Sequence, residues 1–295
     1  MHATISLLQA IVLGLIQGFT ELFPISSLGH GVLIPALLGW HNLAVHTNFF
    51  LVFLVGTHVG TAIGLIYYYR ATWISLVQGV FRQLGQSRSQ GLGSLWRLND
   101  QRINPYYRLF VMLLIGTIPV GLVGVVFEHK LRTLFAKPLD AAIFLTLNGF
   151  ILLFAEYLRT NRGKRVTEKS VNQLSGSNVL FIGASQILAL FAGISRSGVT
   201  MVSGLTTGLS HEESANFSFL LATPVILLAG LYKLPSLLGA LGQGVRTQTL
   251  IGALCALVAS YISVKFLTKW FTTKTLKPFG LYCLIFGAIC IVRFA

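Results

Sequence analysis

Glu21 is a carboxylate in an apolar stretch and, apart from Asp100, the only acid among the first hundred residues. Gln17 precedes it by four residues, so on a helix the two side chains share a face. Ser26, Ser27 and His30 follow, with Pro24 and Gly29 shaping a break in the chain. A carboxylate, two hydroxyls and an imidazole within ten residues supply the groups for a base, a nucleophile and an acid. Each alone reads more simply as a helix cap, a satisfied interior histidine or an acid near water. Together, inside an apolar break, they point to chemistry, because ionisable residues at membrane depth are costly and mark sites or pathways.

A second cluster is Ser195-Arg196-Ser197-Gly198, with Thr200 just beyond. An arginine at membrane depth needs an anionic partner, and hydroxyls and backbone N–H groups around a glycine turn add donors. A helix starting past the break adds its positive end, and the set suits a phosphate. The plainer alternative is that Arg196 pairs with Glu21 as a structural ion pair. The two are compatible if phosphate displaces the carboxylate or a divalent cation bridges them. His58, in His58-Val59-Gly60-Thr61, either faces the same cavity or packs. Ser210 and Glu213 have the spacing of a capping box. Glu156 is expected to pair locally with Arg159. Cys255, Cys283 and Cys290 lie in apolar runs without metal spacing and read as packing residues.

The elements that position these groups follow from composition. Of 295 residues, 54% are hydrophobic and 10% charged, with a mean hydropathy of +0.75. Those values exclude a disordered chain, a coiled coil, a disulfide scaffold and an ordinary soluble enzyme. Six stretches, 49–69, 107–127, 141–158, 215–234, 248–268 and 276–293, are apolar and about long enough to cross a bilayer. The net charge of +14 comes from 22 Lys and Arg against eight acids, and its placement is informative. Arg70, Arg82, Arg88, Arg97, Arg102 and Arg108 crowd one connection, expected to be a loop; Arg159, Arg162, Lys164, Arg165 and Lys169 crowd another. Lys265, Lys269, Lys274 and Lys277 crowd a third, whereas the intervening connections are poor or balanced. The alternation obeys the positive-inside rule and puts the C-terminus outside, so the charge reports topology and not a nucleic-acid surface.

Residues 5–40 and 178–211 are apolar but broken by Gly, Ser and Pro, as re-entrant hairpins are. With an offset of 169, Gly14, Gln17, Ile25, Ser26 and Gly29 fall on Gly183, Gln186, Ile194, Ser195 and Gly198. The expected fold is an all-α polytopic membrane protein. It has six transmembrane helices plus two re-entrant helical hairpins in an inverted-topology repeat, with 1–158 as the first repeat and 178–295 as the second.

The stretch from Gln17 to His30, QGFTELFPISSLGH, resembles the bacterial undecaprenyl-diphosphate phosphatases of the bacitracin-resistance type, which carry E/Q-x-x-x-E followed by P-x-S-S-x-G-H. GISRSGVT from Gly193 is similar to the family's P-G-x-S-R-S-G-x-T; HVGT from His58 and FSFLLATP from Phe217 also look like family segments. Three positions depart from the pattern. Ala192 stands where the family usually has proline, Gln17 is the less acidic option, and Leu54 replaces an acid found in many members.

The resemblance implies hydrolysis of undecaprenyl diphosphate to the monophosphate and phosphate, recycling a carrier for cell-wall synthesis. It implies a multi-pass bacterial plasma-membrane enzyme with its site on the outer face and a divalent cation, Mg²⁺ or Ca²⁺. Glu21, Ser27 and His30 are then catalytic, with either Ser27 or His30 as nucleophile. Arg196, Ser195, Ser197, Thr200 and Ser26 bind phosphate, Glu21 and Gln17 hold the metal, and His58 lines the cavity. The expected partners are the lipid diphosphate and membrane lipid, not nucleic acid; pairing with a second copy of the chain is left open. The rival readings are a transporter of lipid phosphate or another anion, which needs no nucleophile, and a non-catalytic homologue.

Overall fold

The computed structural model describes residues 5–40, 43, 48–90, 103–134, 137–161, 168–239 and 244–295. Helices α1 (Leu7–Thr20) and α2 (Ser27–Leu37) form the first broken region, and α3 (Asn48–Tyr68), α4 (Arg70–Gln90), α5 (Pro105–Leu134) and α6 (Pro138–Asn161) follow. The second broken region is α7 (Gly176–Ser185), prolonged by a 3-10 turn over Gln186–Leu190, and α8 (Arg196–Thr206). Then come α9 (His211–Leu238), α10 (Arg246–Trp270) and α11 (Lys277–Phe294). Among the described residues there is no strand, only one isolated bridge between Lys169 and Leu209.

Serines start the helices on which the site depends. Ser6 and Gln9 form a reciprocal capping box at α1. Ser26 and Ser195 cap α2 and α8, each hydroxyl accepting an N–H, from Gly29 and Gly198, at 3.1 Å. Both breaks therefore end on an equivalent cap.

Among the described residues, five helical segments are long and apolar enough to cross a membrane: Pro105–Phe127, Pro138–Thr160, His211–Tyr232, Arg246–Trp270 and Lys277–Phe294. A sixth is available if α3 and α4, bent by 78° at Tyr69, count as one. Leu114, Ile118, Leu122 and Val125 of α5 face outward and are exposed, as are Leu281, Ile285, Ile289 and Val292 of α11. Such apolar faces suit hydrocarbon, not water.

The Arg-rich connection after Tyr69 is not a loop throughout: residues 70–90 are helical. Leu76, Gly79, Gln83 and Ser87 recur at spacings of three or four and are buried, with α4 packed on α5, while Arg70 and Arg82 stay exposed. Counting charge assigns a side of the membrane but is blind to that period, and arginine is itself a good helix former. Arg97, Asp100 and Arg102 lie outside the described residues.

Two other local expectations change. Glu156 turns inward, where its Oε1 accepts from the Leu276 N–H at 2.8 Å and lies 2.6 Å from His211 Nε2. Arg159, more exposed, instead pairs with Glu168 and donates to the Leu209 carbonyl. Ser210 does cap α9 by accepting from the Glu213 N–H, but the Glu213 carboxylate accepts from the Val171 N–H. In each case a partner distant in sequence outcompetes the neighbour.

α1 packs on α10, and α7 packs on α5. Glycine makes each approach close: a Cβ on Gly14 would lie 2.3 Å from the Gly252 carbonyl oxygen, and one on Gly183 would lie 2.4 Å from that of Gly116. Small residues let helices in a membrane meet at backbone distance. Gly14→Ala is therefore expected to destabilise by about 1–3 kcal/mol, seen as a lower melting temperature in detergent. An unchanged melting temperature would show that the helices part without cost.

Candidate active site

Glu21 closes α1, one turn beyond Gln17, and its carboxylate is only 6% exposed as a residue. Four side chains meet it. Gln17 donates from Nε2 to Oε2 at 2.8 Å, and the Ser27 hydroxyl donates to the same oxygen. His58 Nε2 lies 3.3 Å from Oε2, and Arg196 Nη2 donates to Oε1 at 2.6 Å. The carboxylate is thus held by the first turn of α2, by the span α3 and by the first residue of α8. A buried carboxylate needs such company, since charge without partners is costly in low dielectric.

Arg196 is the first residue of α8, and Ser27, which meets the same carboxylate, is the first of α2. Its side chain is 12% exposed. Its Nη1 is buried and has no hydrogen-bond partner. A guanidinium that spends one nitrogen on Glu21 and leaves the other unmatched offers a donor to an anion.

His58 Nδ1 donates to the Leu54 carbonyl oxygen at 2.7 Å, which aims Nε2 at Glu21. Its side chain is 27% exposed.

The other hydroxyls expected at a phosphate are occupied by the scaffold. Ser26 Oγ accepts from Gly29 and Gly193 N–H groups, and Ser197 Oγ donates to the Phe23 carbonyl at 3.2 Å. Ser195 Oγ accepts from Gly198 N–H and lies 3.0 Å from Ser197 Oγ. Thr200 Oγ1 donates to the Arg196 carbonyl and meets Ser218 Oγ at 2.6 Å. All four residues are about 2% exposed, and the Ser26 and Ser197 bonds tie one broken region to the other. Sequence spacing does not distinguish a hydroxyl facing a cavity from one that caps a helix or bridges two turns.

His30 is buried too, but the structure does not bring it to Glu21: its ring nitrogens face the Ser26 carbonyl and the Tyr282 hydroxyl.

Asn148 escaped the sequence reading. It sits wholly buried in α6, where its Oδ1 accepts from Ser195 N–H at 3.0 Å and its Nδ2 donates to the Pro24 carbonyl at 2.9 Å. One amide thereby fixes the register of both breaks, and flipping it would set like against like. A lone amide in an apolar span was the available signal.

Among the described residues no three His, Cys, Asp or Glu side chains converge to hold a metal ion. Gln17 turns its amide N–H, not its oxygen, to Glu21, so the hard oxygens gathered there are those of Glu21 and Ser27, too few for a closed cage. They fit a cation of the Mg²⁺ type that keeps waters and is shared with substrate phosphates.

The family described as bacitracin resistance protein BacA matches residues 10–289 of the chain. Undecaprenyl-diphosphatase 2 of Frankia alni is 42% identical over 355 aligned residues, covering 100% of this chain and 99% of the relative. Undecaprenyl-diphosphatase of Mycolicibacterium paratuberculosis is 42% identical over 316, with the same coverage. Undecaprenyl-diphosphatase 2 of Burkholderia orbicola is 39% identical over 287, covering 97% and 96%. With a match along nearly its full length and relatives of this closeness, the chain belongs to the bacitracin resistance protein BacA family.

Proposed function

We propose that the chain hydrolyses undecaprenyl diphosphate to undecaprenyl phosphate and inorganic phosphate, returning the lipid carrier to cell-wall synthesis. The observation that carries this reading is a hydroxyl and a guanidinium on the two oxygens of one buried carboxylate, with a second guanidinium nitrogen unpaired. A passive pore or carrier has no need of the hydroxyl. The relatives' names give the substrate.

Phosphoryl transfer is mostly positioning and charge stabilisation. The terminal phosphate takes Arg196, replacing Glu21 on the guanidinium, and lies at the amino ends of α2 and α8. Losing Arg196 makes Glu21 a better base for the Ser27 proton. Ser27 Oγ then attacks the terminal phosphorus, the bridging P–O bond breaks, and its electron pair leaves with undecaprenyl phosphate. The Glu21 proton passes to the departing undecaprenyl phosphate. Glu21 then takes a proton from water, whose oxygen attacks the phosphoserine phosphorus, the P–Oγ bond breaks, and that proton returns to Ser27 Oγ as phosphate leaves. A divalent cation, Mg²⁺ or Ca²⁺, held by Glu21 with the Gln17 amide turned to offer its oxygen, would neutralise diphosphate charge when bound. His58 orients Glu21 from the open side.

In the membrane this reading uses six spans with α1–α2 and α7–α8 as re-entrant hairpins. Residues 1–158 and 178–295 are the two halves of an inverted repeat, with the catalytic groups on the outer side of the plasma membrane. The paired glycine contacts, the paired serine caps and the alternation of basic connections support it.

The test is purified protein in detergent with a C55 or C15 isoprenyl diphosphate, scored for released phosphate with Mg²⁺ and with chelator. Detergent removes vectorial transport, so release there means chemistry. A folded sample that releases none would sink the enzyme reading.

A further inference from the structure

His30 looks like the acid–base member of the motif, yet its geometry is that of a clamp. Nδ1 lies 2.7 Å from the Ser26 carbonyl oxygen, and Nε2 lies 2.7 Å from the Tyr282 hydroxyl. A carbonyl oxygen only accepts, so Nδ1 carries the hydrogen. In a neutral ring Nε2 is then the acceptor, and Tyr282 donates to it. The rings of Tyr282 and Phe286 stack on the imidazole at centroid distances of 5.8 and 5.4 Å, so packing opposes its rotation toward Glu21.

The carbonyl being held is unusual. Ser26 has φ 69° and ψ 101°, and among the described residues it is the one non-glycine with positive φ. Backbone in that region is strained for a side chain with a Cβ and persists only where its surroundings over-determine it. Here they do: the Ser26 carbonyl accepts from both the His30 backbone N–H, at 3.2 Å, and the ring, while its hydroxyl accepts from Gly29 and Gly193. The next residue is Ser27.

We infer that His30 and Tyr282 are a positioning pair, which holds the strained Ser26 peptide so that the Ser27 hydroxyl faces Glu21, and that His30 exchanges no proton with substrate. The inference rests on the reading of Ser27 as nucleophile. Among the described residues the ring's polar neighbours are the Ser26 and Ile25 backbone and the Tyr282 hydroxyl on α11, and no acid bonds it.

The full chain in detergent with a C15 diphosphate tests this through His30→Asn, His30→Ala, Tyr282→Phe and Ser27→Ala. Asparagine places an amide N–H near the position of Nδ1 but has no second ring nitrogen to exchange a proton. His30→Asn should keep kcat within about tenfold of the parent with an unshifted pH profile, whereas His30→Ala should lose about a hundredfold in kcat with KM nearly constant. Tyr282→Phe, which leaves the ring its main bond, should cost about three- to tenfold in kcat.

A folded His30→Asn protein as inactive as His30→Ala, or one that loses a limb of the pH profile, would overturn the inference. Should the alanine variant fail to fold, the asparagine profile decides alone. Retained hydrolysis in Ser27→Ala would instead overturn the nucleophile reading, and this inference with it, whatever the His30 variants do.

Discussion

Replacing Arg196 with alanine is expected to reduce phosphate release by about a thousandfold or more, the range set by arginines that stabilise phosphoryl-transfer charge. Arg196 is the cation on Glu21 Oε1 and the donor of the unmatched Nη1, so one substitution removes the site's main positive group. Lysine should recover little, because a compact ammonium cannot address a carboxylate and a phosphate from one planar fork. The chain should still fold, since Gln17, Ser27 and His58 continue to hold Glu21. The measurement is turnover in detergent beside an elution profile and a melting curve. A folded alanine variant with substantial turnover would take Arg196 out of the reaction.

Ser27→Ala is expected to lower turnover further, by about four orders of magnitude, as removal of an attacking hydroxyl does elsewhere. Its effect should separate from that of Arg196→Ala in one respect. The parent, quenched during turnover with substrate labelled on the terminal phosphate, should carry label on Ser27, and the alanine variant should carry none. Glu21, whose carboxylate accepts the Ser27 hydrogen bond, is the proposed base, so Glu21→Gln should also fail to accumulate label. Label mapped to His30 would transfer the nucleophile's role to the imidazole.

Glu21 and Arg196 were legible in the chain because charge inside an apolar run is costly and therefore conspicuous. The six apolar stretches and the two breaks were legible for a similar reason: length, glycine and proline are local signals. Asn148 and Tyr282 were not, because their significance lies in partners such as Pro24 and His30, far away in sequence. The serines show a different limit. Ser26, Ser195 and Ser197 have the composition of an anion site, yet their hydroxyls serve caps and turns, and only the fold decides between these uses. His58 was half legible, since an imidazole in a span announces itself while its approach to Glu21 depends on how α3 meets α1. α4 was hidden by its arginines, which mark a side of the membrane whether they ride on a loop or on a helix.

The Arg196–Glu21 contact also bears on how the catalyst lets go of its product. The guanidinium carries its own tethered carboxylate, an intramolecular competitor whose effective concentration no freely diffusing ion matches. Undecaprenyl diphosphate overcomes that competitor with two phosphates and a chain already dissolved in the bilayer. Liberated orthophosphate has neither advantage, so in the proposed reaction Glu21 should reclaim the guanidinium. Orthophosphate should then be a weak inhibitor of turnover.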